Sequence, residues 1–212
     1  MNRTIEPLTE STAADFFDFF DHRAFSDGSP YAPCYCSCFQ LTADEVRIGI
    51  GERAAALGGG FEGLTLALRE SAEGLIKKGI LHGYLAYEDG LAIGWCNAND
   101  QQNYIRVGSF NPGKRRDEDC YISPGERGKI KSLVCFEIAP DYRGKGVAKA
   151  LLHRVCEDAK AEGFALVEVY PQVTEAYSPL DFNGPMKMYA DFGFEEYQRH
   201  GKTIIMRKKL IE

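Results

Sequence analysis

The sequence predicts a mixed α/β domain, and three observations carry that expectation: a helical first half, an Asp-Gly pair between two apolar runs, and strand and helix patterns alternating from Ser132 onward. In order, residues 3 to 8 read as a short strand, and a capped helical run from Ser11 to about Phe25 carries Phe16, Phe17, Phe19 and Phe20. The SDGSP stretch at 26 to 30 ends it. Asp44 to Leu57 and Leu64 to Lys78 read as helices broken at Gly58, Gly59 and Gly60, the second with Leu64, Leu68, Ala72, Leu75 and Ile76 on one face.

At Leu81 the period changes. Strands are expected at about 82 to 88 and 91 to 98, joined through Asp89-Gly90, a strong hairpin signal. Residues 99 to 130 are polar, and their run Lys114, Arg115, Arg116, Asp117, Glu118, Asp119 reads as a solvated loop. Then come a strand over Ser132 to Ala139, a helix over Val147 to Glu162 closed by Gly163, and a strand over Ala165 to Tyr170. A short helix follows over Met186 to Phe192, closed by Gly193, and Thr203 to Lys208 supplies a last strand. No repeat or low-complexity linker divides the chain, so residues 1 to 212 are expected to form one domain.

Composition narrows the function. A formal charge of -6 disfavours phosphate-backbone binding, which needs Lys and Arg gathered on one face, so nucleic acid is not an expected partner. No segment approaches the ~18 apolar residues of a spanning helix, and the N-terminus lacks an apolar leader core; a cytoplasmic, membrane-free protein is expected. Seven cysteines, an odd number, in a chain too long to need staples argue for reduced thiols.

The stretch that carries chemistry is CFEIAPDYRGKGVAKALLHRVCEDAKAEG, where a strand ends at Pro140 and a turn, Arg143-Gly144-Lys145-Gly146, opens into a helix. Glycines let a ligand approach the main chain, and first-turn amides with the helix dipole behind them suit a phosphate group. A Walker A loop would place Ser or Thr after Gly-Lys, where Gly146 stands. A dinucleotide fingerprint would place Gly at 149, where Lys149 stands.

The spelling resembles the Gcn5-related N-acetyltransferase (GNAT) superfamily, whose signature at this turn is Arg or Gln, two residues, Gly, one residue, then Gly or Ala. Arg143, Gly146 and Ala148 match it, and Tyr189-Ala190-Asp191-Phe192-Gly193-Phe194 resembles the family's Y-x-x-x-G-F helix end. The resemblance covers about Leu81 to Lys209, the hairpin and cofactor-binding core; residues 26 to 80 fall in the family's variable acceptor-side region. It implies a mixed, mostly antiparallel central sheet flanked by helices, with a helical N-terminal elaboration. It also implies acetyl-CoA as co-substrate, its pyrophosphate held by Arg143, Gly144, Lys145, Gly146, Val147 and Ala148 and its pantetheine arm along the strand ending at Ile138. That strand is expected to splay from Ala165 to Tyr170.

The reaction so implied is direct attack of a primary amine, on a small molecule or a protein, at the thioester, with an amide near Ile138 stabilising the oxyanion. Tyr189 is the candidate acid, since a phenol of pKa about 10 keeps its proton at neutral pH. Glu137 is the first candidate base and Glu168 the second. Many relatives carry an Asn seven residues before this Tyr; that place holds Phe182, with Asn183 one residue later. A non-catalytic CoA-binding protein or cysteine-based sensor on the same fold is the alternative.

Cys34, Cys36 and Cys38 stand at alternate positions in YAPCYCSCFQ. In an extended segment their sulphurs would share a side, but no paired His completes a four-ligand set among His22, His82, His153 and His200, so no metal is expected. A reactive thiol is the second reading. Packing with Tyr31, Tyr35 and Phe39 is the preferred one. By resemblance this segment borders the acceptor, which makes Tyr35 and Cys36 candidate substrate-binding residues, with Trp95, Cys96 and Asn97 near the same pocket. A homodimer through an exposed last strand is a further expectation.

Overall fold

The computed structural model describes residues 2–105, 130–173 and 181–210. Strand β1 (Arg3–Pro7) leads to helix α1 (Ala13–His22), whose four phenylalanines are all buried. Phe16 meets Trp95 edge-on at 4.9 Å, so this helix lies against the third strand of the sheet. It stops at His22, three residues before the expected end, where the Arg23 amide donates to Phe19. The segment expected as a helix over 44 to 57 is helical, but its first part, Glu45–Ile50, is wound as a π-helix before α2 (Gly51–Ala56). Helix α3 (Gly60–Lys77) begins four residues before Leu64, because Gly59 and Gly60 take positive φ and turn the chain directly into it.

Strands β2 (Gly83–Glu88) and β3 (Leu91–Asp100) form the expected hairpin, with Asp89 and Gly90 at φ 50° and 85°, the left-handed pair that a two-residue turn requires. After them come β4 (Ile130–Ile138), α4 (Val147–Ala161), β5 (Leu166–Val169), α5 (Met186–Asp191), β6 (Glu195–His200) and β7 (Thr203–Lys209). Among the described residues seven strands make one sheet in the order β1-β2-β3-β4-β5-β7-β6. Every pairing is antiparallel except β4 with β5. That parallel ladder covers Ile130–Leu133 against Leu166–Val169, so among the described residues the C-terminal half of β4 has no strand on this side.

A core lies on each face of the sheet. The α1 face gathers Phe16, Phe19, Cys36, Trp95 and Tyr170, and the α4 face gathers Phe136, Leu151, Val155 and Tyr189. Val147, Leu151, Leu152, Val155, Cys156 and Ala159 form the buried stripe of α4, as its period predicts.

Two expectations need correction. Glu195–His200 forms a strand, although EEYQRH has none of the apolar alternation by which strands are recognised, since all but its last residue is exposed. The expected last strand, β7, is therefore paired on both sides, and the edge at this end of the sheet is β6. The charge run at 114 to 119 lies outside the described residues. No helix among the described residues is long and apolar enough to cross a membrane.

Candidate active site

The turn after β4 is built for a close approach to the main chain. Gly144 and Gly146 sit at φ 72° and 80°, and a Cβ added at either would meet no protein atom within 4 Å. Both positions are open, and the backbone conformation favours glycine. The first bond into α4 runs from the Ala150 amide to the Gly146 carbonyl at 3.0 Å. The amides of Val147, Ala148 and Lys149 therefore head the helix as donors without an intrahelical acceptor, at the positive end of its dipole. This fits a pyrophosphate. Lys145 extends over the Tyr142 ring at 5.3 Å, and its carbonyl accepts from Arg3, tying the turn to β1.

The Arg143 side chain departs from the phosphate role expected of it. Its Nε donates to the Ile138 carbonyl at 3.0 Å, one terminal nitrogen pairs with Asp27, and the other lies 3.5 Å from Glu137. The guanidinium thus clamps the end of β4 to the SDGSP segment. A planar fork with several donors is well suited to joining a carbonyl and two carboxylates. Asp27 had no distinguishing signal in the sequence, because its partner is 116 residues away.

Glu137 lies opposite Trp95 on β3, with its side chain 12% exposed. Burial raises its pKa to about 7, against the opposing pull of Arg143. A carboxyl poised there can take or give a proton at neutral pH. Where β4 loses β5, the loop before α5 covers it: the Phe136 amide donates to the Phe182 carbonyl at 2.7 Å, and Asn183 Nδ2 to the Val134 carbonyl at 3.3 Å. The expected row of unpaired β4 amides is thus partly occupied, because this loop takes part of the strand's place. Ile138, two residues beyond Phe136, turns its amide to the same side.

Tyr189 is fully buried, and its hydroxyl donates to the Asn183 carbonyl. Its ring packs on Phe194 at 5.5 Å, so helix end and loop are held together by one side chain. Asn183, one place from the expected position, serves as a strut between β4 and this loop. Glu168 is not suited to be the base. It sits in the paired part of β5, fully buried, accepting from Arg207 at 2.6 Å and from Gln101 and Tyr170 at 2.6 Å each. Such a network leaves the carboxylate oxygens occupied by donors.

The cysteine segment is not extended: Cys36 takes a left-handed φ of 52° and a 3₁₀ turn begins at Cys38, so alternate spacing does not set the directions of the three side chains. Cys36 is buried against β3, where Asn97 Nδ2 donates to its carbonyl at 2.8 Å. Trp95 and Asn97 share that face, and Cys96 points to the other core. Tyr35 turns the opposite way: its hydroxyl donates to Asp21 and its ring lies 5.9 Å from Phe17 and 5.8 Å from Phe20. It helps line a cavity of about 460 Å³ with Asp21, Phe25, Cys34 and Phe61. Tyr31, edge-on against Phe182 at 5.4 Å, packs on the loop that covers the end of β4. Among the described residues no cluster of three or more His, Cys, Asp or Glu side chains could hold a metal.

A mostly antiparallel sheet that opens beside β4, followed by a glycine turn and a long helix, is the arrangement that the resemblance to N-acetyltransferases implied. Residues 61–194 match the model of the acetyltransferase (GNAT) family, and the chain belongs to that family. An uncharacterized N-acetyltransferase of Methanocaldococcus jannaschii is 32% identical over 79 residues, 37% of this chain and 32% of that one, so the match spans about a third of the relative's length. Among solved structures, an N-acetyltransferase from Staphylococcus aureus Mu50 superposes with a TM-score of 0.52 at 14% identity over 100% of both chains. A PaiA N-acetyltransferase from Thermoplasma acidophilum, solved with coenzyme A, gives 0.51 at 15% identity over 99% of both chains. A GNAT acetyltransferase from Brucella melitensis, solved with acetyl-CoA, gives 0.51 at 14% identity over 100% of this chain and 90% of that one. At these identities the likeness is one of fold.

Proposed function

We propose that the chain transfers an acetyl group from acetyl-CoA to a primary amine, on a small molecule or an exposed protein group. Acetyl-CoA supplies an activated acyl thioester; the relatives solved with coenzyme A or acetyl-CoA support this choice. The observation that carries the reading is the pairing of two features at the end of β4. Donor amides head α4 beside a turn left open at Gly144 and Gly146, and Glu137 stands at the strand end with a pKa of about 7.

In this reading the amides from Gly144 to Ala148 hold the pyrophosphate, and the C-terminal half of β4 lines the pantetheine arm. Glu137 takes a proton from the incoming ammonium, directly or through water, so that a neutral amine is presented. Arg143 keeps that carboxyl from rising further and fixes its direction. The Ile138 amide faces the splay and can donate to a developing oxyanion. Tyr189 supplies the proton for the departing thiolate by turning its hydroxyl from Asn183.

The test is release of CoA thiol from acetyl-CoA across a panel of small amines and lysine- or N-terminal-amine peptides. Turnover with at least one amine, abolished in Glu137→Gln, is expected. Binding of acetyl-CoA without turnover on any amine would leave a CoA-binding protein in place of an enzyme.

A further inference from the structure

The chain between α1 and the cysteine segment carries a second carboxylate to the end of β4. Arg23 anchors its start, with Nε donating to the Ala92 carbonyl of β3 at 2.8 Å. Its far end is held where Tyr31 packs edge-on against Phe182. Between these anchors Gly28 turns at a φ of 73°, its amide donating to the Phe25 carbonyl at 3.0 Å, and Ser29 Oγ accepts from the Tyr31 amide at 3.3 Å. Asp27 is therefore carried on a turn fixed at both ends, and its partly exposed carboxylate pairs with Arg143.

The Arg143 fork is shared unequally. Its Nε is fixed on the Ile138 carbonyl at 3.0 Å, one terminal nitrogen lies 2.5 Å from Asp27 Oδ2, and the other lies 3.5 Å from Glu137 Oε1, at the limit of a hydrogen bond. A guanidinium left with Glu137 alone would close on it, because short charge-assisted bonds to one carboxylate are the stronger arrangement. A carboxylate so engaged keeps its charge to lower pH and accepts a proton less readily. Asp27 stays charged while Glu137 titrates, since the Arg143 bond holds its carboxyl below the usual range. The charges acting on Glu137 are that of Arg143, which opposes burial, and that of Asp27, which adds to it. Tyr31 from the same segment, Cys34 and Cys36 from the cysteine segment, and Cys135 from β4 are the other titratable groups near enough to sense its charge among the described residues.

We propose that Asp27 is a positioning residue for Glu137: by holding one arm of the Arg143 guanidinium it keeps the other from closing on the Glu137 carboxylate, which stays free to take the proton of the incoming ammonium. The inference rests on the role given to Glu137 under the proposed function, and adds to it a residue from a distant part of the chain. The effect passes through Arg143, so Asp27 needs no contact with the substrate. Any shift of the SDGSP segment is passed along the same bridge to the base.

The experiment follows the Glu137 carboxyl by carbon NMR in full-length protein labelled at the glutamate side-chain carboxyl, the resonance being assigned by its loss in Glu137→Gln. The pH profile of kcat/KM for the amine is measured in parallel. In Asp27→Asn the carboxyl should titrate about one pH unit lower than in the wild type, and the rising limb of the profile should move with it. On the plateau kcat/KM should fall about threefold, with acetyl-CoA affinity unchanged. In the Arg143→Ala background the same substitution should move the carboxyl less than about half as far, because only the direct charge of Asp27 is then removed. Asp27→Ala, checked for fold together with Asp27→Asn by circular dichroism, should shift the carboxyl in the same direction. No shift, an upward shift, or an equal shift with and without Arg143 would overturn the proposal. A shifted carboxyl in a protein that turns over no amine would instead remove the reading of Glu137 as the base, while leaving its tuning by Asp27 in place.

Discussion

On one side of the end of β4 lies a cradle whose residues all fall within Arg143 to Ala148; on the other lies a wall drawn from Asp27, Cys36, Trp95, Cys135 and Glu137. The cradle needs only a turn and a helix start, and its donors are main-chain amides, so side-chain identity matters little beyond two glycines. The wall depends on side chains brought from the SDGSP segment, the cysteine segment and two strands. A contiguous site can be recognised by spelling, whereas an assembled one has to be folded before it can be read. Under the proposed function the same division separates the chemistry: the cradle would hold the cofactor, and Glu137 in the wall would move the proton.

The sharpest way to break this comparison is at Glu137. In Glu137→Gln, kcat/KM for the amine should fall about a hundredfold, with acetyl-CoA affinity unchanged by calorimetry. The pH profile gives the sign. The base works as the carboxylate, so wild-type activity should climb as pH rises through about 7, and that limb should vanish in the variant. Stability runs oppositely, because the folded state raises this pKa and holds the proton more tightly than the unfolded chain. Stability from this group is lost as pH rises toward 7, and Glu137→Gln should melt no lower than wild type above that pH.

Tyr189→Phe should act more mildly, lowering kcat about tenfold at unchanged acetyl-CoA affinity. It should also lower stability by about 1–3 kcal/mol in urea titrations, since the Asn183 carbonyl loses its buried donor. Unchanged turnover would make the phenol a strut alone. The smallest effect is expected at Arg143. Because its charge opposes the burial of Glu137, Arg143→Ala should move the rising limb to higher pH. Its guanidinium faces Asp27 and Glu137, so acetyl-CoA affinity should change little. A large loss of affinity would show that the side chain swings to the phosphates when they bind.

Much of the fold was legible, and the exceptions have physical causes. The hairpin at Asp89-Gly90 and the stripe of α4 announce themselves through turn chemistry and period. Strand β6 carries no such signal, since an exposed edge strand needs no apolar alternation, and the resulting error moved the free edge from β6 to β7. The π-wound start of the helix pair at Glu45–Ile50 is a backbone choice that the spacing of apolar residues does not reveal. In the site, the cradle glycines were readable, but Glu168 reads like Glu137 until the structure places Arg207 against it. Alternate cysteines suggest one shared side only if the segment is extended, and the left-handed turn at Cys36 removes that premise.

The central claim is that the turn and helix start after β4 hold acetyl-CoA. Isothermal titration of the wild-type protein and of a folded Gly146→Val variant with acetyl-CoA tests it most directly. The account predicts saturable binding at one site per chain in the wild type, and an affinity at least about tenfold weaker in the variant, whose added side chain fills the approach and strains a φ of 80°. Absence of binding to the wild type, or equal affinity in the two proteins, would contradict it.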